Sequence, residues 1–70
     1  MRIVTQRLRK AMSERGFERA DLSRETGSSL RVVGSWYSGE RTPTAGSIIE
    51  ICRALDISAD YLLGLKESMR

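Results

Sequence analysis

Histidine is absent from this 70-residue chain, and cysteine and proline occur once each, as Cys52 and Pro43. One thiol cannot close an intramolecular disulfide. Without histidine there is no Cys/His metal cluster, no Cys/His nucleophilic pair and no imidazole base. Aromatics are also few: Trp36, Tyr37, Tyr61 and Phe17. No apolar run approaches the roughly 20 residues needed to span a bilayer, and the N-terminal stretch is charged where a signal peptide has its apolar centre. No glycine-rich phosphate loop follows a strand, and the acidic residues are scattered rather than paired. These absences point to a cytoplasmic protein that is not an enzyme, with no metal, cofactor or membrane partner. The length suits one domain over residues 1–70, its core spanning about 4–65, and leaves no room for a small-molecule-sensing domain.

What is present reads as five helices and no strand. Val4, Leu8, Ala11, Met12 and Arg15 fall at helical spacing, which predicts a first helix over 3–15. Gly16 stands at its left-handed cap, and Arg7, Arg9 and Lys10 form a basic exposed face. Residues 17–43, FERADLSRETGSSLRVVGSWYSGERTP, hold two short helical patterns, 20–26 and 30–37. The first is expected to bury Ala20, Leu22 and Thr26 and to be poorly capped, since Glu18 stands where serine or threonine would serve better. Only Gly27, Ser28 and Ser29 separate the two, so the helices must cross steeply, as in a helix-turn-helix.

Ser29 caps the third helix, Val33 and Trp36 face its core, and Gly39 ends it. Gly34 in its middle costs roughly 1 kcal/mol of helix propensity. Thr44 caps a fourth helix that buries Ile48, Ile51, Cys52 and Leu55, with Cys52 as an inert buried thiol. Ser58 caps a short fifth helix containing Tyr61, Leu62 and Leu63, Gly64 closes it, and residues 66–70 are expected to fray.

Charge is distributed unevenly. Residues 1–45 carry nine Lys or Arg against five Asp or Glu, hence +4, and residues 46–70 carry three against four, hence −1. The surplus therefore accompanies the helix-turn-helix. A phosphate backbone would attract it through counterion release, although solvated surface charge accounts for it equally well.

From residue 4 to residue 65 the chain resembles the five-helix DNA-binding domain of the phage repressor and Cro type, the xenobiotic-response-element family. The resemblance rests on RLRKAMSERG in the first helix, on Gly27 closing the second, on SWYSGERTPT with its aromatic, glycine and Pro-Thr spacing, and on IIEICRALDISADYLLGL in the last two. It implies an all-α lambda-repressor-like fold and a regulator of transcription, a repressor rather than an activator. Such a protein binds double-stranded DNA as a homodimer on an inverted repeat, with the third helix in the major groove.

The departures from the family pattern bear on the site. Arg19 replaces a phosphate-gripping polar residue, and Leu30 replaces a polar base reader, leaving it a thymine methyl to pack on. Met12 and Tyr37 stand where many members pair arginine with glutamate. Replacing both ends of such a pair leaves no orphan charge.

If the third helix enters the groove, Leu30, Arg31, Gly34 and Ser35 face the bases. Arg31 is the principal reader, because its planar fork matches guanine O6 and N7; a phosphate or solvent is the alternative. Phosphate contacts are expected from Arg19, Ser29, Ser38 and Arg41, and from Arg9 and Lys10 beyond the turn. For both serines plain capping is an equal reading, and for Arg9 and Lys10 a solvated face is the alternative. Tyr61, Leu62 and Leu65 are candidate dimer contacts, though Leu62 could instead close the core. A second class is a protein-interaction module of the same fold, antitoxin-like or an antirepressor partner, which draws on Leu30, Gly34 and Glu40.

Overall fold

The computed structural model describes residues 1–70 and contains five helices: α1 (Arg2–Arg15), α2 (Arg19–Thr26), α3 (Leu30–Ser38), α4 (Ala45–Leu55) and α5 (Ala59–Leu62). Helices this short are marginal alone in water, so each is held by the face it buries. α1 contributes Val4, Leu8, Ala11 and Met12, which recur every three to four residues on one stripe. Against them pack Leu22 of α2, Val33 and Trp36 of α3, Ile51 and Leu55 of α4, and Tyr61 and Leu62 of α5. One apolar cluster thus joins all five helices.

The chain reversals follow from local chemistry. Gly16, at φ 69°, ends α1, and the Phe17 amide donates to Met12 O at 2.8 Å. Thr44 and Ser58 cap α4 and α5 by accepting from Ser47 N at 3.2 Å and Tyr61 N at 3.0 Å. α4 ends on Asp56 at φ 54°, the one non-glycine residue with positive φ. Aspartate tolerates this conformation better than most residues.

Two arginines of α1 complete the helix ends that capping serines cannot reach. Arg15 donates from Nε to Leu55 O at 2.7 Å and from Nη2 to Asp56 O at 3.0 Å, closing α4. Arg7 donates from Nη1 to Tyr61 O at 3.1 Å and to Lys66 O at 2.8 Å, closing α5. Cations are favoured at helix C-termini, where the carbonyls lack partners and the dipole is negative. Arg7 therefore does not belong to the exposed basic face expected of the first helix.

Other expectations are also corrected. α2 starts at Arg19, one residue early, because the Glu18 amide donates to Asp21 Oδ2 at 2.7 Å; the cap is supplied from inside the helix. Ala20 is exposed, and Thr26 is only half-buried, its hydroxyl donating to Leu22 O at 2.7 Å. Cys52 is half-buried rather than enclosed, and burial raises its thiol pKa above the ordinary value. Residues 66–70 fold back instead of fraying: Ser58 N donates to Met69 O at 2.7 Å, Met69 packs on the core, and Arg70 pairs with Asp56.

Candidate nucleic-acid interface

The turn between α2 and α3 is built from small polar residues. Gly27 adopts φ 76°, a left-handed conformation that side-chain-bearing residues resist, and its amide donates to Ser23 O at 3.0 Å. The Ser23 hydroxyl donates to Ser28 O at 2.6 Å, and Ser28 N donates to Thr26 Oγ1 at 3.3 Å. Ser29 Oγ accepts from Val32 N at 3.1 Å and starts α3. The turn is thus fixed by hydrogen bonds within residues 22–32, and it holds the N-terminus of α3 away from the core.

The 3.6-residue period divides α3 into three stripes. Val33 and Trp36 form the buried one. Leu30, Gly34 and Tyr37, at i, i+4 and i+7, form the second, and Arg31, Ser35 and Ser38 the third. At the N-terminal end both outer stripes are open: Leu30 is 56% exposed, Arg31 is exposed, and a Cβ placed on Gly34 would meet nothing within 4 Å.

Farther along the helix both stripes are partly covered: Ser35 is buried and Tyr37 half-buried, while Ser38 is exposed. The loop after Gly39 returns over the third, with Arg41 N donating to Ser35 O at 3.1 Å. Ser35 is consequently only 8% exposed, and its hydroxyl donates inward to Val32 O at 2.6 Å. This enclosure corrects the expectation that Ser35 stands open on the outer face of α3. The Ser38 hydroxyl donates to Ser35 O and accepts from Glu40 N, which ties it to the turn, while the residue itself stays exposed. A helical pattern alone counts Ser35 as outward; the returning loop is the missing information.

That same loop sets Arg41 beside α3, where Arg31, Val32, Ser35, Glu40 and Arg41 line one cleft. On the opposite flank Tyr37 meets α1 and α2. The Arg9 guanidinium lies over its ring at 4.9 Å and that of Arg19 at 5.2 Å, and Arg9 Nε donates to Tyr37 O at 2.6 Å. The sequence pattern placed Tyr37 only as half of a replaced ion pair, and the structure makes it the meeting point of Arg9 and Arg19. An aromatic next to Trp36 at the end of a helix, with arginines in two neighbouring helices, was the available signal. Met12, the other half, is buried in the core.

The electrostatics sort the cations. Arg7 pairs with Glu67 at 3.3 Å, Arg24 with Asp21 at 2.7 Å, and Arg70 with Asp56. The Glu18 amide and, after it, the Arg24 guanidinium hold the Asp21 carboxyl below its ordinary pKa. Lys10, Arg19, Arg31 and Arg41 form no ion pair within the chain, and all four are exposed. Unpaired arginines therefore flank α3 on both sides, and Lys10 lies farther out on α1.

The candidate dimer contacts divide differently. Tyr61 and Leu62 are buried in the core of this chain, which corrects the expectation for Tyr61 and, for Leu62, bears out the alternative that it closes the core; Leu65 is 73% exposed. No helix is long and apolar enough to cross a membrane.

Searches of curated proteins and of solved structures found no match. The family model of the Cro/C1-type HTH DNA-binding domain matches residues 7–68, a span that includes the two-helix unit, the covering loop and the packing of α1 against α5. The chain belongs to the Cro/C1-type helix-turn-helix DNA-binding family.

Proposed function

We propose that the protein is a sequence-specific regulator of transcription that inserts the N-terminal half of α3 into the major groove of double-stranded DNA. The observation that carries this is the open tip of Leu30, Arg31 and Gly34 between two sets of arginines, Arg41 on one flank and Arg9 with Arg19 on the other. A helix that reads bases lies between two phosphate strands, so cations on both sides of a bare helix are the arrangement a groove requires. Arg31 is the base reader. Leu30 packs on a thymine methyl, and Ser29 keeps its hydroxyl hydrogen for a phosphate while its oxygen caps the helix. With a single hydrogen-bonding reader, affinity leans on phosphates and on DNA shape.

The operator is read as an inverted repeat by a homodimer, the two copies of α3 lying about one helical turn, ~34 Å, apart. Leu65 is the contact that remains exposed for it. Repression is the simplest output, because occupancy of a promoter already excludes another protein, whereas activation needs a further productive contact. Such a protein would work in the cytoplasm, associated with the nucleoid.

Binding-site selection on random duplex DNA tests the reading. The expected product is an enriched palindrome whose gel shift weakens on Arg31→Ala and is lost progressively with added salt. No enriched sequence, together with salt-insensitive association with another protein, would instead favour the interaction module of the same fold.

A further inference from the structure

Tyr37 brings together side chains from three helices. Arg9 of α1 and Arg19 of α2 both lie within cation–π distance of its ring, 4.9 and 5.2 Å, and Arg9 is further tied down through Nε to Tyr37 O. Both guanidiniums are on exposed residues. Arg9, Met12, Ser13, Phe17, Glu18, Arg19 and Tyr37 line one cleft, and Glu18, the acidic residue among them, forms an ion pair with neither arginine. Two like charges are thus held at one ring with no anion between them.

We propose that Tyr37 is a positioning residue that holds Arg9 and Arg19 as a two-arginine clamp for a single DNA phosphate. The proposal rests on the DNA-binding reading above. Free arginine side chains lose rotamer entropy on gripping a phosphate, and two guanidiniums repel each other as they converge. The ring offsets both before DNA arrives: its face attracts each cation, and the Tyr37 carbonyl fixes the nearer one. Arg9 Nε is consumed, which leaves its terminal nitrogens to donate, and Arg19 has its whole fork available.

The experiment measures binding of the full chain to a mixed-sequence DNA duplex as a function of salt, for the wild type, Tyr37→Phe, Tyr37→Leu, Arg9→Ala, Arg19→Ala, the double arginine variant and the triple variant with Tyr37→Leu. Arg31→Ala serves as a control outside the clamp, and circular dichroism checks that each variant is folded. Tyr37→Leu is expected to weaken binding about fivefold with both arginines intact, while Tyr37→Phe, which keeps the ring, stays within about twofold. The double arginine variant lowers the slope of log K against log salt by about 0.9, because one phosphate is lost and not two, and each single variant lowers it by no more than that. Tyr37→Leu adds nothing in the double-variant background.

A slope change near 1.8 for the double variant would mean separate phosphates and overturn the clamp. A Tyr37→Leu loss that persists without the arginines would assign the effect to packing of α3 and overturn the positioning role. Wild-type affinity retained in Tyr37→Leu overturns it as well. In each of these outcomes the wild type still binds the duplex, so the DNA-binding reading survives. A wild type that does not bind the duplex at all overturns both.

Discussion

The guanidinium of Arg7 lies 4.3 Å over the ring of Tyr61 while its Nη1 donates to the carbonyl of the same residue at 3.1 Å. One side chain therefore holds both the ring and the backbone of α5. The Arg7 side chain is only 15% exposed, so its charge is largely withdrawn from DNA. The Tyr61 hydroxyl is buried with no hydrogen-bond partner.

These two residues are expected to respond to substitution with opposite signs. Arg7→Ala removes charge-assisted bonds to two carbonyls and should lower stability by about 2–3 kcal/mol. Tyr61→Phe keeps the ring under Arg7 and removes an unsatisfied hydroxyl, which should raise stability by about 1 kcal/mol. Urea denaturation of the two variants measures both; a destabilised Tyr61→Phe would show that the hydroxyl has a partner in solution.

The helix-turn-helix was legible in the sequence because its signals are local. Gly27 must take positive φ, Ser29 caps the next helix, and Val33 and Trp36 share a face whatever surrounds them. Apart from the Glu18–Asp21 cap of α2, which is local, the main failures involve elements meeting across the fold. Arg7 looked solvated until α5 came to rest on it, Ser35 looked outward until the loop at Arg41 returned over it, and Tyr61 looked like a dimer contact although the core uses it. The pairing of Arg9 and Arg19 on Tyr37 joins residues up to 28 positions apart, and no period within one helix encodes it.

Acid stability should depend on Asp21. Its folded-state pKa lies below the ordinary value of 3.8, chiefly through the Glu18 amide and then through Arg24. A depressed carboxyl contributes its stabilisation in full above the unfolded-state value and loses it as pH falls through the folded-state value. Asp21→Asn should therefore be less stable than the wild type at neutral pH, converge with it at strongly acid pH, and show a shallower stability loss below about pH 4. Thermal melts across that range test the sign. Parallel curves for the two proteins would remove Asp21 from the acid limb.

Self-association is expected to run through Leu65, the most exposed large apolar residue of the chain at 73%. Leu65→Asp should leave the helical content intact, since the side chain contributes nothing to the core, and should shift a dimer to monomer at micromolar concentration. Sedimentation equilibrium measures this directly. A wild type that sediments as a monomer would place the two-fold contact on DNA-bound copies only or abolish it.

Gly34 separates what the fold needs from what the ligand needs. It sits in mid-helix at a negative φ, and a Cβ there would touch nothing within 4 Å, so no atom of this chain requires glycine. Alanine should accordingly stabilise α3 by about 0.5–1 kcal/mol through lower backbone entropy in the unfolded chain. If the bare backbone admits the edge of a base or a phosphate, the same methyl fills that space, and operator affinity should fall about tenfold. A variant both more stable and weaker on DNA marks a glycine kept for close approach. If Gly34→Ala is more stable with unchanged affinity, Gly34 takes no part in the interface, and readout contracts to Arg31 and Leu30.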